Sequence, residues 1–169
     1  MLPKLSRVLT IYNVNNRMAV EAAGFARDGA RHFGVKLIER HATSVEELKQ
    51  RVGELKVKEA DAYFSISDAI VTSQAQLVID MANSKKLPSM FPDQSLVVMG
   101  GLASYGQNFH EVGRLSAKYV QKIMAGAQPG DLRVEVVDKF ELAINLKTAK
   151  QIGLTIPPNL LVRADRVIK

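Results

Sequence analysis

The chain alternates short runs of β-branched and apolar residues with longer segments of helical periodicity, and this alternation constrains the fold most. Arg7–Tyr12 predicts a buried strand. The Ala-rich segment Arg17–Phe33 predicts a helix that ends at Gly34. Further strands are predicted at Val35–Glu39, Ala62–Ile66, Leu87–Phe91, Leu102–Tyr105, Val134–Val137 and Phe140–Ile144. This order predicts an α/β domain, a parallel Rossmann-like sheet with helices on both faces.

Helix starts are marked by capping residues. Ser44 with Glu47 fits a capping box, and Ser67-Asp68 is expected to cap a helix that runs to about Ser84. Asn108 with Glu111 predicts the start of an amphipathic helix that ends at Gly126. Two short C-terminal helices are expected on either side of Gly153 and Pro157-Pro158.

Composition narrows the function classes. The 169 residues carry a net charge of +6, but the basic residues are scattered and interleaved with acids. Proteins that bind single-stranded nucleic acid usually stack the nucleobases on aromatic side chains that stand among lysines and arginines. This sequence lacks that pattern, so no nucleic-acid partner is expected. The chain has no cysteine, which excludes disulfides and thiolate metal sites. Its N-terminus has no apolar signal region, so no export signal is predicted in this chain.

Enzyme motifs are missing from the sequence. The stretch from Gly100 to Gly106, GGLASYG, lacks the lysine and the spacing of a phosphate-binding loop. His32, His41 and His110 have no second ligand at metal-binding spacing, so we interpret them as solvated side chains. We therefore predict no catalytic residue, no metal site and no cofactor.

A ligand site is expected where parallel strands end, because ligands of open α/β sheets bind beyond the carboxyl ends of the strands. The candidate loops are Asn13–Asn16, Ser65–Asp68, Met90–Asp93 and Ser104–Gly106. Their amides, hydroxyls and carboxylates suit a small polar ligand, with Asp68 or Asp93 available to an ammonium group. Two interpretations stay open, because the asparagines also suit a turn and Asp68 also suits an N-cap. Tyr105 is interpreted as packing, and Gly100-Gly101 as a tight bend.

Several segments, in this order, resemble one known family. They are LPKLSRVLTIYNVNN at the N-terminus, AYFSISDAI, LPSMF, GGLASYG, MAGAQPGDLRVE and finally KFELAINLKTAKQIGLTIPPNLLVRADRVI. The order resembles the C-terminal half of ABC transporter substrate-binding proteins with tryptophan- and phenylalanine-binding members. The resemblance implies one lobe of a type I periplasmic-binding-protein-like fold. It also implies an extracytoplasmic location, a small-molecule ligand such as an amino acid or aromatic carboxylate, and an ABC permease as partner.

By this resemblance, the ligand-binding residues are Asn13, Asn15, Asn16, Ser67, Asp68 and Ser104. The resemblance divides the chain into three parts. Residues 1–106 form a ligand-binding lobe, and residues 107–137 form a helix and strand that pack on a missing first lobe or on a second chain. Residues 138–169 form a returning strand with closing helices. The loop at Ser65–Asp68 lacks the proline often found there in the family.

The helix after Asn108 presents an apolar stripe whose expected partner is a first lobe. We therefore expect a homo-oligomer through Phe109, Val112, Leu115 and Tyr119, or a helix that folds back over its own lobe. The alternative to a transport protein is a free-standing α/β binding or dimerisation module, and a doubly wound enzyme ranks third.

Overall fold

A computed structural model describes residues 5–169, so Leu2, Pro3 and Lys4 of the first family-like segment lie outside the described residues. The strands are β1 (Arg7–Tyr12), β2 (Lys36–His41), β3 (Ala62–Phe64), β4 (Ser89–Phe91), β5 (Ala103–Gln107), β6 (Phe140–Asn145) and β7 (Arg166–Ile168). The helices are α1 (Arg17–His32), α2 (Val45–Gly53), α3 (Ala69–Ser73), α4 (Ala75–Ser84), α5 (Gln94–Val98), α6 (Phe109–Met124), α7 (Leu146–Ile152) and α8 (Pro158–Val162).

The strands form one sheet in the order β2-β1-β3-β4-β5-β6-β7. Neighbouring strands are parallel except β5 and β6, which are antiparallel from Ala103 opposite Ile144 to Gln107 opposite Phe140. The chain leaves the sheet after β5 and returns to the same end, where the Asn108 amide donates to the Lys139 carbonyl. Because the excursion begins and ends at one edge, β6 must run in the opposite direction. The predicted α/β fold is confirmed, and the sheet is mostly rather than wholly parallel.

Alternate residues of β1 face opposite sides of the sheet. Leu9 and Ile11 belong to the largest core cluster, with Leu48 of α2 and Ile79 of α4. Tyr12 packs on the other side in a smaller cluster with Ala19 and Ala23 of α1, and with Ile66. A third cluster joins Leu102, Ile144, Ala149, Ile152 and Ile156 around the C-terminal strands. Helices therefore cover both faces, and α1 lies close to the sheet through its alanines.

A charged contact joins β1 to the segment before β3. Asp61 accepts hydrogen bonds from the amides of Ser6 and Arg7, from the Ser6 hydroxyl and from the Arg7 guanidinium, whose Nη2 lies 2.7 Å from Oδ1. The Arg7 hydrogen bond, and after it that of Ser6, holds the pKa of Asp61 well below its usual range. The ionised carboxylate thus stabilises the edge of the sheet opposite to the strand carboxyl ends.

Several predicted elements differ in the structure. Residues 134–137 were predicted to form a strand, but they form no regular secondary structure. The segment 107–137 therefore contains α6 and a short turn of 3-10 helix at Pro129–Asp131, without the expected strand. The single helix expected up to Ser84 is divided at Gln74, whose φ of −117° and ψ of 33° are not helical. Helix α5 and strand β7 were not predicted.

The predicted N-caps are present. The Ser44 hydroxyl accepts from the Glu47 amide at 3.1 Å, but the Glu47 carboxylate accepts from Thr43 rather than from Ser44, so the box is displaced by one residue. The Asn108 side chain accepts from the amides of His110 and Glu111.

Helix α6 differs from the other long helices because none of its residues is buried. The expectation that it folds back over its own lobe is therefore wrong. Its Val112, Leu115 and Tyr119 line a hollow shared with Val136 and Val137, so the chain that follows covers part of the helix. Phe109 and Val120 are exposed. Across residues 5–169, the structure contains no helix of the length and apolarity needed to cross a membrane.

Candidate functional site

The loop after β1 is held by its own asparagines. The side-chain oxygen of Asn13 accepts a hydrogen bond from the Asn15 backbone amide at 2.8 Å. The backbone carbonyl of Asn13 accepts one from the Asn16 backbone amide. The Asn16 side chain then caps α1 by accepting from the amides of Met18 and Ala19. Asn15 itself is exposed. The loop is thus a rigid turn that presents Asn15 at the carboxyl edge of the sheet.

Asp68 joins this turn to the loop after β3. One carboxylate oxygen accepts from the amides of Ile70 and Val71 at the start of α3, and the other accepts from the Asn16 side-chain amide at 2.9 Å. The side chain is buried, with 3% exposed. Through these hydrogen bonds, Asp68 fixes the two candidate ligand loops relative to each other.

The other predicted site residues differ in access. Ser67 is exposed next to Asp68. Ser104 is buried in β5, and its hydroxyl has no hydrogen-bond partner among residues 5–169. The structure thus brings Asn13, Asn15, Asn16, Ser67 and Asp68 together on adjoining loops, while Ser104 lies two strands further along the sheet.

The loop after β4 has a structural role. One carboxylate oxygen of Asp93 accepts from the Ser95 amide at 2.7 Å and caps α5. Gly106 of β5 packs against this loop so closely that a Cβ atom there would lie 1.8 Å from the Pro92 carbonyl oxygen. Gly101 is equally constrained, since its Cβ would lie 2.7 Å from the Phe91 ring. Tyr105 stacks on Phe140 but is 60% exposed, so its interpretation as packing stays a prediction.

Sequence reasoning missed a polar cluster at the ends of β1 and β2. The Tyr12 hydroxyl donates to the Glu39 carboxylate at 2.7 Å, and Arg27 of α1 forms an ion pair with the same oxygen at 3.1 Å. The His41 ring nitrogen lies 3.3 Å from the Tyr12 hydroxyl. Burial, followed by the Glu39 hydrogen bond, raises the pKa of Tyr12. The cluster fixes α1 to the sheet beside Asn13. No local motif marks it, because its members are distant in the sequence.

Residues 1–168 match the family model of the ABC transporter substrate-binding proteins. The chain belongs to this family. Among curated proteins, it is 25% identical over 155 residues to the tyrosine-binding protein of Clostridioides difficile strain R20291, a match that covers 90% of this chain and 44% of that protein. The expectation of a binding protein rather than an enzyme is confirmed by this membership.

Two solved structures are similar to this chain. One is a conserved domain protein from Vibrio cholerae O1 biovar El Tor strain N16961, with 30% identity and a TM-score of 0.88. The other is an ABC domain in complex with L-Trp from Streptococcus pneumoniae, with 25% identity and a TM-score of 0.87. Each match covers 98% of this chain and 56% of the solved chain. The chain thus spans about half the length of these relatives and has the fold of one of their lobes.

Proposed function

We propose that this chain forms one wall of a ligand cleft in a substrate-binding protein of an ABC uptake system, and that its ligand is an aromatic amino acid or a similar small carboxylate. The observation that carries the proposal is the Asn16–Asp68 hydrogen bond, which links two loops at the carboxyl edge of the sheet. Relatives of about twice the length include a tyrosine-binding protein and a domain with bound L-Trp.

In this proposal, some residues of the two loops contact the ligand and others position the loops. Asn15 and Ser67 are exposed and contact the ligand through an amide and a hydroxyl. Asn16 and Asp68 position these loops, since their polar atoms are already used by helix caps and by each other. Asn13 shapes the turn through its side-chain oxygen. The Ser104 hydroxyl, which has no partner in the part of the chain that the structure describes, offers a further polar group behind the edge.

In the complete binding protein, a second lobe supplies the opposite wall, and closure of the lobes on the ligand favours the form that docks on the permease. Residues 1–106 form the ligand-binding lobe, and residues 107–137 contact another lobe or chain. Residues 138–169 supply the returning strand and the closing helices. We place this assembly on the extracytoplasmic side of the membrane, where uptake-system binding proteins work.

The chain contains no tryptophan, so L-Trp excited at a wavelength that its four tyrosines do not absorb is the only source of fluorescence. One wall supplies about half of the contacts, and halving the binding free energy of a micromolar ligand gives a Kd of about 1 mM. We expect L-Trp anisotropy to rise at millimolar protein concentrations, and Ser67→Ala and Asn15→Ala to weaken that rise. Asn159→Ala, on exposed α8, is the control. Unchanged anisotropy, or micromolar one-to-one binding by this lobe alone, contradicts the proposal.

A further inference from the structure

The Glu39 carboxylate bonds to the chain on both sides of the turn at Asn13–Asn16. The Tyr12 hydroxyl, at the end of β1, donates to Glu39 Oε2 at 2.7 Å. Arg27 of α1 donates to the same oxygen at 3.1 Å. The turn lies between β1 and α1 in the chain, so a single carboxylate oxygen joins the strand before the turn to the helix after it. Glu39 therefore limits how far these two elements can move apart.

Tyr12 is held by several contacts besides this hydrogen bond. Its side chain is 3% exposed and packs with Ala19 and Ala23 of α1. Its backbone carbonyl accepts a hydrogen bond from the Ala42 amide at 3.1 Å. The His41 ring meets the Tyr12 ring edge-on, with a centroid distance of 5.0 Å and an angle of 76° between the planes. Because the turn follows directly in the chain, a displacement of Tyr12 would be passed on to the turn.

Arg27 fixes α1 from the other side of the turn. Its guanidinium lies close to Gly24, where a Cβ atom would be 3.9 Å from Arg27 Nη2. Gly24 precedes Arg27 in α1, so the side chain extends toward the start of the helix. The side chains of Arg27 and Glu39 are 42% and 21% exposed. Salt screens such a partly buried ion pair less than one on the open surface.

The turn is thus held from two directions in the sheet. Strand β1 lies between β2 and β3. From the β3 side, Asp68 accepts from the Asn16 side-chain amide at 2.9 Å. From the β2 side, Glu39 holds the strand before the turn and the helix after it. Asn15 is exposed between these two attachments, and its backbone amide donates to the Asn13 side chain. The position of Asn15 therefore depends on both.

We infer that Glu39 is a positioning residue for ligand binding, which keeps Asn15 in place through its bonds to Tyr12 and Arg27. The effect on the ligand rests on the proposed function, whereas the effect on the turn does not. When only a fraction of the molecules has the binding-competent conformation, the apparent Kd rises by the inverse of that fraction. A turn that leaves its conformation for about half to four-fifths of the time therefore weakens binding about two- to fivefold.

Glu39→Ala tests this role, and Glu59→Ala is its matched control. Glu59 accepts from the Arg40 guanidinium at 2.6 Å and from the Lys56 amide, and its side chain is 27% exposed. Arg40 follows Glu39 in β2, so the control pair lies on the opposite face of the same strand, away from the turn. Glu39→Gln keeps an acceptor oxygen, and Tyr12→Phe keeps the buried ring and removes only the hydroxyl. Far-UV circular dichroism checks that each variant is folded.

Two measurements separate the turn from the ligand. Hydrogen exchange, followed by nuclear magnetic resonance without ligand, should become at least about tenfold faster at the Asn15 and Asn16 amides in Glu39→Ala, because a hydrogen bond to a charged group contributes at least about that factor to an equilibrium constant. Tyr12→Phe should change it in the same direction, Glu39→Gln should restore slow exchange, and Glu59→Ala should leave it unchanged. In L-Trp titrations, the Kd should rise about two- to fivefold for Glu39→Ala and stay the same for Glu59→Ala.

Each other result overturns the role of Glu39. Unchanged exchange at Asn15 and Asn16 shows that the turn is held without this carboxylate, and an equal increase in Glu59→Ala shows a general loss of stability. Faster exchange with an unchanged Kd shows that the order of the turn does not affect the ligand. If Glu39→Ala does not fold, Tyr12→Phe decides by the same two measurements. An unaltered chain that does not bind L-Trp contradicts the proposed function and the role toward the ligand, while the exchange rates still decide whether Glu39 holds the turn.

Discussion

Removal of the Asp68 carboxylate should destabilise the lobe strongly, because this side chain caps α3 and joins the loop after β3 to the loop after β1. Asp68→Ala removes the acceptor for three donors: the amides of Ile70 and Val71 and the side chain of Asn16. Loss of an N-cap costs about 0.5–2 kcal/mol. An unsatisfied buried donor costs about 1–3 kcal/mol. Since the two overlap, we expect a loss of about 2–4 kcal/mol in the free energy of unfolding.

Urea denaturation followed by circular dichroism measures this loss. Ser67→Ala is the matched control, since Ser67 is exposed and adjacent, and should change stability by less than about 0.5 kcal/mol. A double-mutant cycle with Asn16→Ala should give a coupling free energy of about 0.5–3 kcal/mol. A loss below about 0.5 kcal/mol for Asp68→Ala, or additive effects in the cycle, would refute the view that Asp68 joins the two loops.

Two further predictions concern the sheet. Gly106→Ala places a Cβ 1.8 Å from the Pro92 carbonyl oxygen and should cost about 1–3 kcal/mol in chemical denaturation, whereas Gly113→Ala, with open space around it in α6, should be neutral or stabilising. Equal effects of the two substitutions would contradict the close packing at Pro92. Asp61 has a lowered pKa in the folded state, so its stabilisation is present above the unfolded pKa of about 3.9 and is lost as the pH falls below it. Asp61→Asn should therefore be less stable at pH 7 and lose less stability between about pH 5 and pH 2 than the unaltered chain, and parallel pH profiles would contradict this role.

Local signals predicted much of the fold. Strand β1 has the bounds predicted from RVLTIY, because a short β-branched run specifies a buried strand without help from distant residues. Helix α1 begins at its asparagine cap and is followed by Gly34, whose φ is +65°, for equally local reasons. Asn108 marked the start of α6 in the same way.

Features that depend on distant residues were not predictable. The direction of β6 follows from where the chain returns to the sheet, which no local pattern records. The alternating valines at 134–137 suggested a strand, but a strand needs a neighbour to satisfy its backbone, and these residues have none in the described chain. Val134 and Val136 are instead 92% and 76% exposed.

The sequence predicted that the loops after β1 and β3 lie at the same edge of the sheet, but not the hydrogen bonds within them. Asn16 and Asp68 were placed at one edge by the rule for parallel strands. The hydrogen bond between them joins residues 52 positions apart in the sequence. Only the structure could therefore show that these side chains cap helices and bond to each other. The same limit applied to Tyr12 and Glu39, which are 27 positions apart.

We propose that the ligand binds at the edge of the sheet formed by the loops after β1 and β3. Nuclear magnetic resonance measures this directly, by titrating the ¹⁵N-labelled chain with L-Trp and following its backbone amides. We predict the largest shift changes at Asn15 and Ser67, with smaller ones at Asn16 and Asp68 and none at Asn159 on α8. Shift changes confined to α6 or α8, or no changes at millimolar L-Trp, would contradict this proposal.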